Sequence, residues 1–303
     1  MKRIMLNIAF VFVALSVALP VDAQLGMFSK EQRINLTRAW TGDRFPDGRP
    51  KVPDSILQQM KTVDAEEAWE VLKKNGYNNQ FAGGWRVVND GSERMVGRVF
   101  TVVFMPKRPD VDAVIQEEGK KEGGVGNENS WPIDMLLPGD VLVVDLFGKI
   151  QDGTYAGDNL GTAIYAHSHN GLVVDGSVRD VTGLTKIKGF RTYVRDFDPS
   201  ALRDVTLMGI NVPIRIGRAM VMPGDVVVSD PEGLTFIPPQ LCRRVIDVAT
   251  LIHYEDEWGH MMLREGKFRP GVIDGLWPKP LIDEFNQWLE QKGTSVRYTN
   301  DLK

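Results

Sequence analysis

Apolar positions in this chain fall into two kinds of run. Residues 97–105 are rich in Val, Phe and Thr, as buried strands are, and the runs Val141-Leu142-Val143-Val144 and Val226-Val227-Val228 are apolar on successive positions, the pattern of strands buried on both faces. The last two are entered by one shared phrase: Leu137-Pro138-Gly139-Asp140 and Met222-Pro223-Gly224-Asp225 each predict a turn that feeds a strand. Two occurrences with different flanks make two similar strand entries rather than a repeat array. Residues 85–88 and 171–175 add strands, and residues 160–168 suit a short helix. The order strand, loop, helix, strand predicts an α/β (α+β) fold.

The second kind of run has helical spacing. Between residues 64 and 74, Ala65, Ala68, Trp69 and Leu72 share one face and Gly76 ends the helix. Residues 239–263 predict a long helix and residues 280–291 another. Ser29-Lys30-Glu31-Gln32 has the spacing of a capping box. The domains expected are an N-terminal helical appendage over 24–77, a main domain over 78–238 and a C-terminal helical extension over 239–303. Residues 106–130, with Glu117-Glu118-Gly119-Lys120-Lys121-Glu122-Gly123-Gly124, read as a solvated surface insertion.

At the start of the chain, Lys2 and Arg3 precede an apolar run over residues 4–19, followed by Val21-Asp22-Ala23. This is the layout of a signal peptide cleaved after Ala23, which predicts a periplasmic or secreted protein with no stable membrane span after cleavage. The alternative, a retained anchor, fits less well because the run contains Asn7 and Ser16 and is short of the roughly 20 apolar residues a span needs. Among 303 residues, 43% are hydrophobic and 25% charged, enough to bury a sizeable core. A net charge of −4 offers no broad cationic surface, so nucleic acid is excluded as a partner. One cysteine, Cys242, cannot form an intrachain disulfide.

Chemistry is concentrated between residues 143 and 180. Gly157-Asp158-Asn159-Leu160 opens a helix, where unpaired N–H groups and a partial positive charge make a seat for a carboxylate. Asp175-Gly176-Ser177-Val178-Arg179-Asp180 leaves a strand, and its end can lie beside the Gly157 loop. Asp158 and Asp180 offer hard oxygen ligands for Mg²⁺ or Mn²⁺, and Arg179 a planar fork for a carboxylate or enolate oxygen. Taken singly, Asp158 or Asn159 is an ordinary helix cap and Arg179 beside Asp180 an ordinary surface pair. The ordered combination points to a site.

Gly-Asp-Asn-Leu, a helix, then Val-Val-Asp-Gly-Ser-Val-Arg-Asp, with Pro-Gly-Asp-Val before each flanking strand, resembles the RraA-like, 4-hydroxy-4-methyl-2-oxoglutarate (HMG/CHA) aldolase superfamily. The resemblance covers residues 97–238. It implies a swivelling β/β/α domain assembled into a homotrimer or hexamer. For the enzymatic branch it implies a metal-dependent class II aldolase that cleaves a small 2-oxo acid to pyruvate and decarboxylates oxaloacetate. On these motifs, residues 157–160 would hold the substrate carboxylate through backbone amides, Arg179 would bind the carbonyl or enolate oxygen, and Asp180 would ligate the metal. Asp158 would join the metal's water shell. A further acidic ligand would come from the neighbouring subunit's helix containing Glu255-Asp256-Glu257, here Glu255. The segment before Gly97 departs from the pattern, and Ser168 stands where members commonly carry glycine. A non-catalytic binding or regulatory protein of the same fold is the alternative. A methyltransferase finds no support, since no glycine-rich cofactor loop follows a first strand.

Other conspicuous residues read as structural. His167 and His169 do not share a helix face. His253 and His260 read as surface or interface groups, and Asp175 as an anchor for the turn at Gly176.

Overall fold

The computed structural model describes residues 28–298 apart from Asp90 and Ser92; the expected leader over residues 1–23 lies outside the described residues. Helices α1 (Lys30–Leu36), α2 (Asp54–Met60) and α3 (Ala65–Lys74) precede two short strands, β1 (Phe81–Gly83) and β2 (Arg86–Val88). Strands and helices then alternate: β3 (Val96–Pro106), α4 (Pro109–Lys121), β4 (Asp140–Thr154), α5 (Asp158–Ser168), β5 (Leu172–Val178), α6 (Val181–Leu184) and β6 (Thr192–Phe197). Strands β7 (Val205–Ile210), β8 (Ile214–Ile216), β9 (Ala219–Val221), β10 (Val226–Ser229) and β11 (Gly233–Ile237) follow, and α7 (Cys242–Arg264), α8 (Pro270–Ile273) and α9 (Lys279–Gln291) come last. The capping box at Ser29 forms as its spacing predicts, with Ser29 and Gln32 each accepting from the other's backbone N–H.

The main sheet runs β1-β11-β10-β3-β4-β5-β6-β2, with β7 also paired to β3. Strands β3 to β6 are mutually parallel, and the outer pairings are antiparallel. The two Pro-Gly-Asp turns are local twins: Gly139 and Gly224 sit at φ +86° and +87°, where a side chain would be strained. Asp140 accepts from the Leu137 N–H at 3.0 Å, and Asp225 accepts from the Met222 N–H at 2.8 Å. Their strands nevertheless run in opposite senses on the two sides of β3, with both Asp140 and Val226 opposite Arg98.

Period two decides the layers. On β3, Phe100, Val102 and Phe104 face one core with Ile115 of α4, Ile164 of α5 and Leu184 of α6, while Val99 and Val103 face a second core with Ile214, Ile216 and Val221 of the β8–β9 hairpin. Helices α2, α3 and α7 extend the helical layer over Val226, Val228 and Ile237 of the β10–β11 end. The result is a mixed α/β fold with a central sheet. Helices α7 and α9 close a smaller core around Trp258 and Phe285. No helix among the described residues is long and apolar enough to cross a membrane.

Residues 106–130 correct the expectation of a solvated insertion. Pro109 starts α4 at its first turn, and Asp112, Ile115 and Gly119 bury one face at i, i+3 and i+7. Gly119 and Gly124 leave room for the Trp131 ring. The high charge that suggested a loop belongs to the outer face of this helix.

Helix α3 is held to α7 by Glu67, whose carboxylate meets His253 Nε2 at 2.8 Å and also accepts from the Asp64 N–H, so His253 has an intramolecular partner rather than a free surface role. Burial pushes the Glu67 carboxyl up to about 7; His253 pulls it down, and Asp256 and Glu66 push it further up. A carboxyl whose folded pKa is raised contributes its stability below the unfolded value of 4.5 and loses it as pH rises toward about 7. Glu67→Gln keeps an acceptor for the cap and should therefore narrow the fall in Tm expected of the parent between about pH 5 and about pH 8. An unchanged difference in thermal scans would remove Glu67 as the cause.

Candidate active site

Parallel strands β3, β4 and β5 end on the same side of the sheet, and the segments that leave them line one open cavity of about 690 Å³. Lys107 follows β3, Thr154 ends β4, and Arg179 and Asp180 follow β5. Gly157, Asp158, Asn159 and Leu160, at the start of α5, are in the same lining. The structure thus brings Gly157, Asp158, Asn159, Leu160, Arg179 and Asp180 to one cavity.

The local geometry explains why. Arg179 N–H donates to the Ala156 carbonyl at 3.1 Å and Tyr155 N–H to the Ser177 carbonyl at 3.0 Å, tying the loop after β4 to the end of β5. Gly157 is the N-cap of α5 and has no side chain to satisfy the N–H groups of the first turn, which leaves them for a ligand. A Cβ at Gly157 would collide with the Asp180 carboxylate, and one at Gly183 would collide with the carboxylate of Asp158. Each acid therefore rests on a glycine of the other's loop. Asp180 adopts the left-handed region, φ 52° and ψ 40°, and caps the short helix α6. Such a conformation costs of order 1–3 kcal/mol and is held by its surroundings. Arg179 Nε lies 3.4 Å from Asp180 Oδ2, with the two side chains 44% and 50% exposed toward solvent, open to a ligand.

The α4 side of the cavity was not foreseen from the sequence. Lys107 Nζ lies 2.7 Å from Asp112 Oδ2, and the Thr206 hydroxyl donates to Asp112 Oδ1 at 2.9 Å. Burial alone would raise the Asp112 carboxyl, but Lys107 and Thr206 hold it below the usual range. The hydrogen bond to Asp112 raises Lys107, which keeps the ammonium protonated and unsuited to Schiff-base chemistry. Glu128 accepts from Gln116 Nε2 and from the Leu207 N–H, both at 2.6 Å, and burial pushes its carboxyl up. Asn129 donates to the Tyr155 carbonyl at 2.6 Å, and the Tyr155 hydroxyl donates to the Asn129 carbonyl at 3.0 Å. The signal that could have found this wall is Asp112 and Gln116, four apart on one face of a helix that follows a buried strand.

Glu255, expected to reach the site from a neighbouring subunit, is buried on α7 and does not line this chain's own cavity. One other expectation comes out differently. Asp175 does not anchor the Gly176 turn but pairs with Arg195 Nε at 2.5 Å.

Asp158 and Asp180 fit a hard divalent cation: both are carboxylates, both border the open cavity, and two carboxylates with waters completing the shell suit Mg²⁺ or Mn²⁺. A tighter cluster of metal-capable groups, Asp64, Glu67 and His253, lies away from the cavity. There Asp64 is already paired with Arg94, and Glu67 with His253 and the Asp64 N–H.

The family model described as RraA-like, Aldolase/RraA, matches residues 60–236, more than half of the chain. A Halalkalibacterium halodurans protein named "Putative 4-hydroxy-4-methyl-2-oxoglutarate aldolase" is 33% identical over 120 residues, which are 40% of this chain and 56% of that protein. The chain thus spans about half the length of this relative. A Thermus thermophilus protein named 4-hydroxy-4-methyl-2-oxoglutarate aldolase is 27% identical over 149 residues, 49% of this chain and 78% of its own. Among solved structures, the chain is similar in fold to Streptomyces coelicolor RraAS2, described as an unusual member of the RNase ES inhibitor RraA protein family. That similarity has a TM-score of 0.58 at 23% identity, covering 70% of this chain and 99% of that one.

Proposed function

This chain belongs to the Aldolase/RraA family, and from that premise we propose that it is a divalent-metal-dependent carbon–carbon lyase that cleaves a small 2-oxo acid and releases pyruvate. The observation that carries the proposal is the convergence of Gly157, Asp158, Arg179 and Asp180 on one cavity at the ends of three parallel strands. A non-catalytic regulator would have no need of two acids and an arginine exposed in a pocket, whereas a lyase needs such a set.

In this reading the first-turn N–H groups of α5 hold the substrate carboxylate, oriented by the helix dipole. Arg179 places its fork on the 2-oxo oxygen and stabilises the negative charge that develops there as the C3–C4 bond breaks. Asp180, with Asp158, would hold Mg²⁺ or Mn²⁺, which when bound supplies Lewis-acid polarisation of the carbonyl. Gly157 keeps the backbone close enough to Asp180 for one ligand to touch both. Assembly as a homotrimer or hexamer and export to the periplasm or medium belong to the same proposal.

Oxalate, a planar mimic of the pyruvate enolate, gives a test independent of turnover. Calorimetry should show oxalate binding with Mg²⁺ or Mn²⁺ and none with EDTA. Gly157→Ala, whose new methyl displaces the Asp180 carboxylate, should weaken that binding by about 10-fold or more. Equal binding with EDTA, or by the variant, would refute this arrangement.

A further inference from the structure

The lyase reading needs a proton for the carbon left as an enolate, and neither Arg179 nor the paired acids supplies one. Three groups on the α4 side of the cavity bear on this: Lys107, Asp112 and Glu128. Lys107 is committed to Asp112, and Asp112 is doubly held by Lys107 and Thr206. Glu128 is different. Among the described residues its hydrogen-bond donors are the neutral Gln116 amide and the Leu207 N–H, and burial and the neighbouring Asp112 carboxylate push its carboxyl up. Of two neighbouring carboxyls in one cavity, the one beside an ammonium is the one that stays ionised, and the other keeps its proton to higher pH. The charged groups around this pair from neighbouring elements are Lys107 at the end of β3, Asp112 on α4, and Arg203 and Asp204 in the segment before β7. Glu128 is also held in place relative to the carboxylate seat. The next residue, Asn129, is bonded in both directions to Tyr155, two positions ahead of Gly157.

We propose that Glu128 is the proton donor of this site, with Asp112 and Lys107 as its positioning residues; the inference rests on the lyase reading. In oxaloacetate cleavage the C3–C4 bond breaks, CO₂ leaves, and the electron pair stays as the enolate. The O–H bond of Glu128 then breaks, its proton forms the new C3–H bond of pyruvate, and solvent water restores the proton to the carboxylate. In reverse, the Glu128 carboxylate removes a proton from the pyruvate methyl group.

The test compares two reactions of the full chain with Mg²⁺ or Mn²⁺: CO₂ release from oxaloacetate and exchange of the pyruvate methyl protons in D₂O followed by NMR. Glu128→Gln has the same size and keeps an acceptor for the Leu207 N–H. It should lose methyl exchange by about 10²-fold, the usual contribution of a placed acid or base, while CO₂ release falls only a few-fold. In the parent, exchange should rise with pH as Glu128 loses its proton. Asp112→Asn removes the neighbouring anion that retains that proton, and should move the rise to lower pH. Parent-like exchange in Glu128→Gln, an equal loss of both reactions, or an unmoved pH rise in Asp112→Asn overturns the proposal. If the parent protein shows neither reaction with either metal, the lyase reading itself fails and this inference falls with it.

Discussion

Arg179→Ala should lower kcat for pyruvate release from oxaloacetate by about 10²–10³-fold, the loss expected when one fixed donor to a developing oxyanion is removed. Its side chain is 44% exposed and pairs with the adjacent Asp180 at the surface, so no core contact is lost with it. Tm should accordingly stay within about 2 °C of the parent, as for most surface substitutions. Asp180 would keep its place, because its backbone is fixed by capping α6 and its side chain by the surface of Gly157. Arg179→Lys should recover little, since a point charge cannot replace a fork that reaches two oxygens. Parent-like kcat in Arg179→Ala would remove this residue from the chemistry.

The largest expected effect on stability lies elsewhere. Arg49, almost completely buried, reaches from the segment after α1 to Asp140 at the entry of β4, with its two terminal nitrogens 3.1 and 3.3 Å from the two carboxylate oxygens. Its Nε lies 2.7 Å from Asp47, and Phe45 and Phe100 flank the guanidinium at 4.8 and 4.9 Å. Burial alone would lower the Arg49 pKa, but Asp140 and Asp47 hold it above the usual value, so the arginine stays charged. Arg49→Ala leaves the buried Asp140 side chain without its partner, and breaking a buried pair from one side costs about 3–5 kcal/mol. Urea unfolding of the variant should show a loss of that size at unchanged m-value. A loss under about 1 kcal/mol would mean that water reaches Asp140 when the arginine is gone.

The strands that build the site were legible because burial on both faces leaves an unmistakable run, and the two Pro-Gly-Asp turns form as their residues require. Gly157 to Leu160 and Arg179-Asp180 were legible as well, since a glycine at a helix start and a polar pair after a buried strand are local signals. What was hidden depends on distance in the chain. Nothing in the two matching phrases tells that β4 runs parallel to β3 while β10 runs antiparallel to it. Charge density over residues 106–130 masked α4, because only Asp112, Ile115 and Gly119 face inward and one of these is itself an acid. Glu128 and Arg49 acquire their meaning from Leu207 and Asp140, partners 79 and 91 positions away. Asp175 was assigned to its own turn for the same reason: Arg195 comes to it across the β5–β6 pairing.

The central claim is tested most directly by pyruvate release from oxaloacetate and from 4-hydroxy-4-methyl-2-oxoglutarate, measured on the folded protein with Mg²⁺, with Mn²⁺ and with EDTA. Turnover of at least one substrate that appears with either metal and vanishes with EDTA is the predicted result. Absence of turnover of both substrates with both metals, on protein whose thermal unfolding shows it to be folded, would contradict the account.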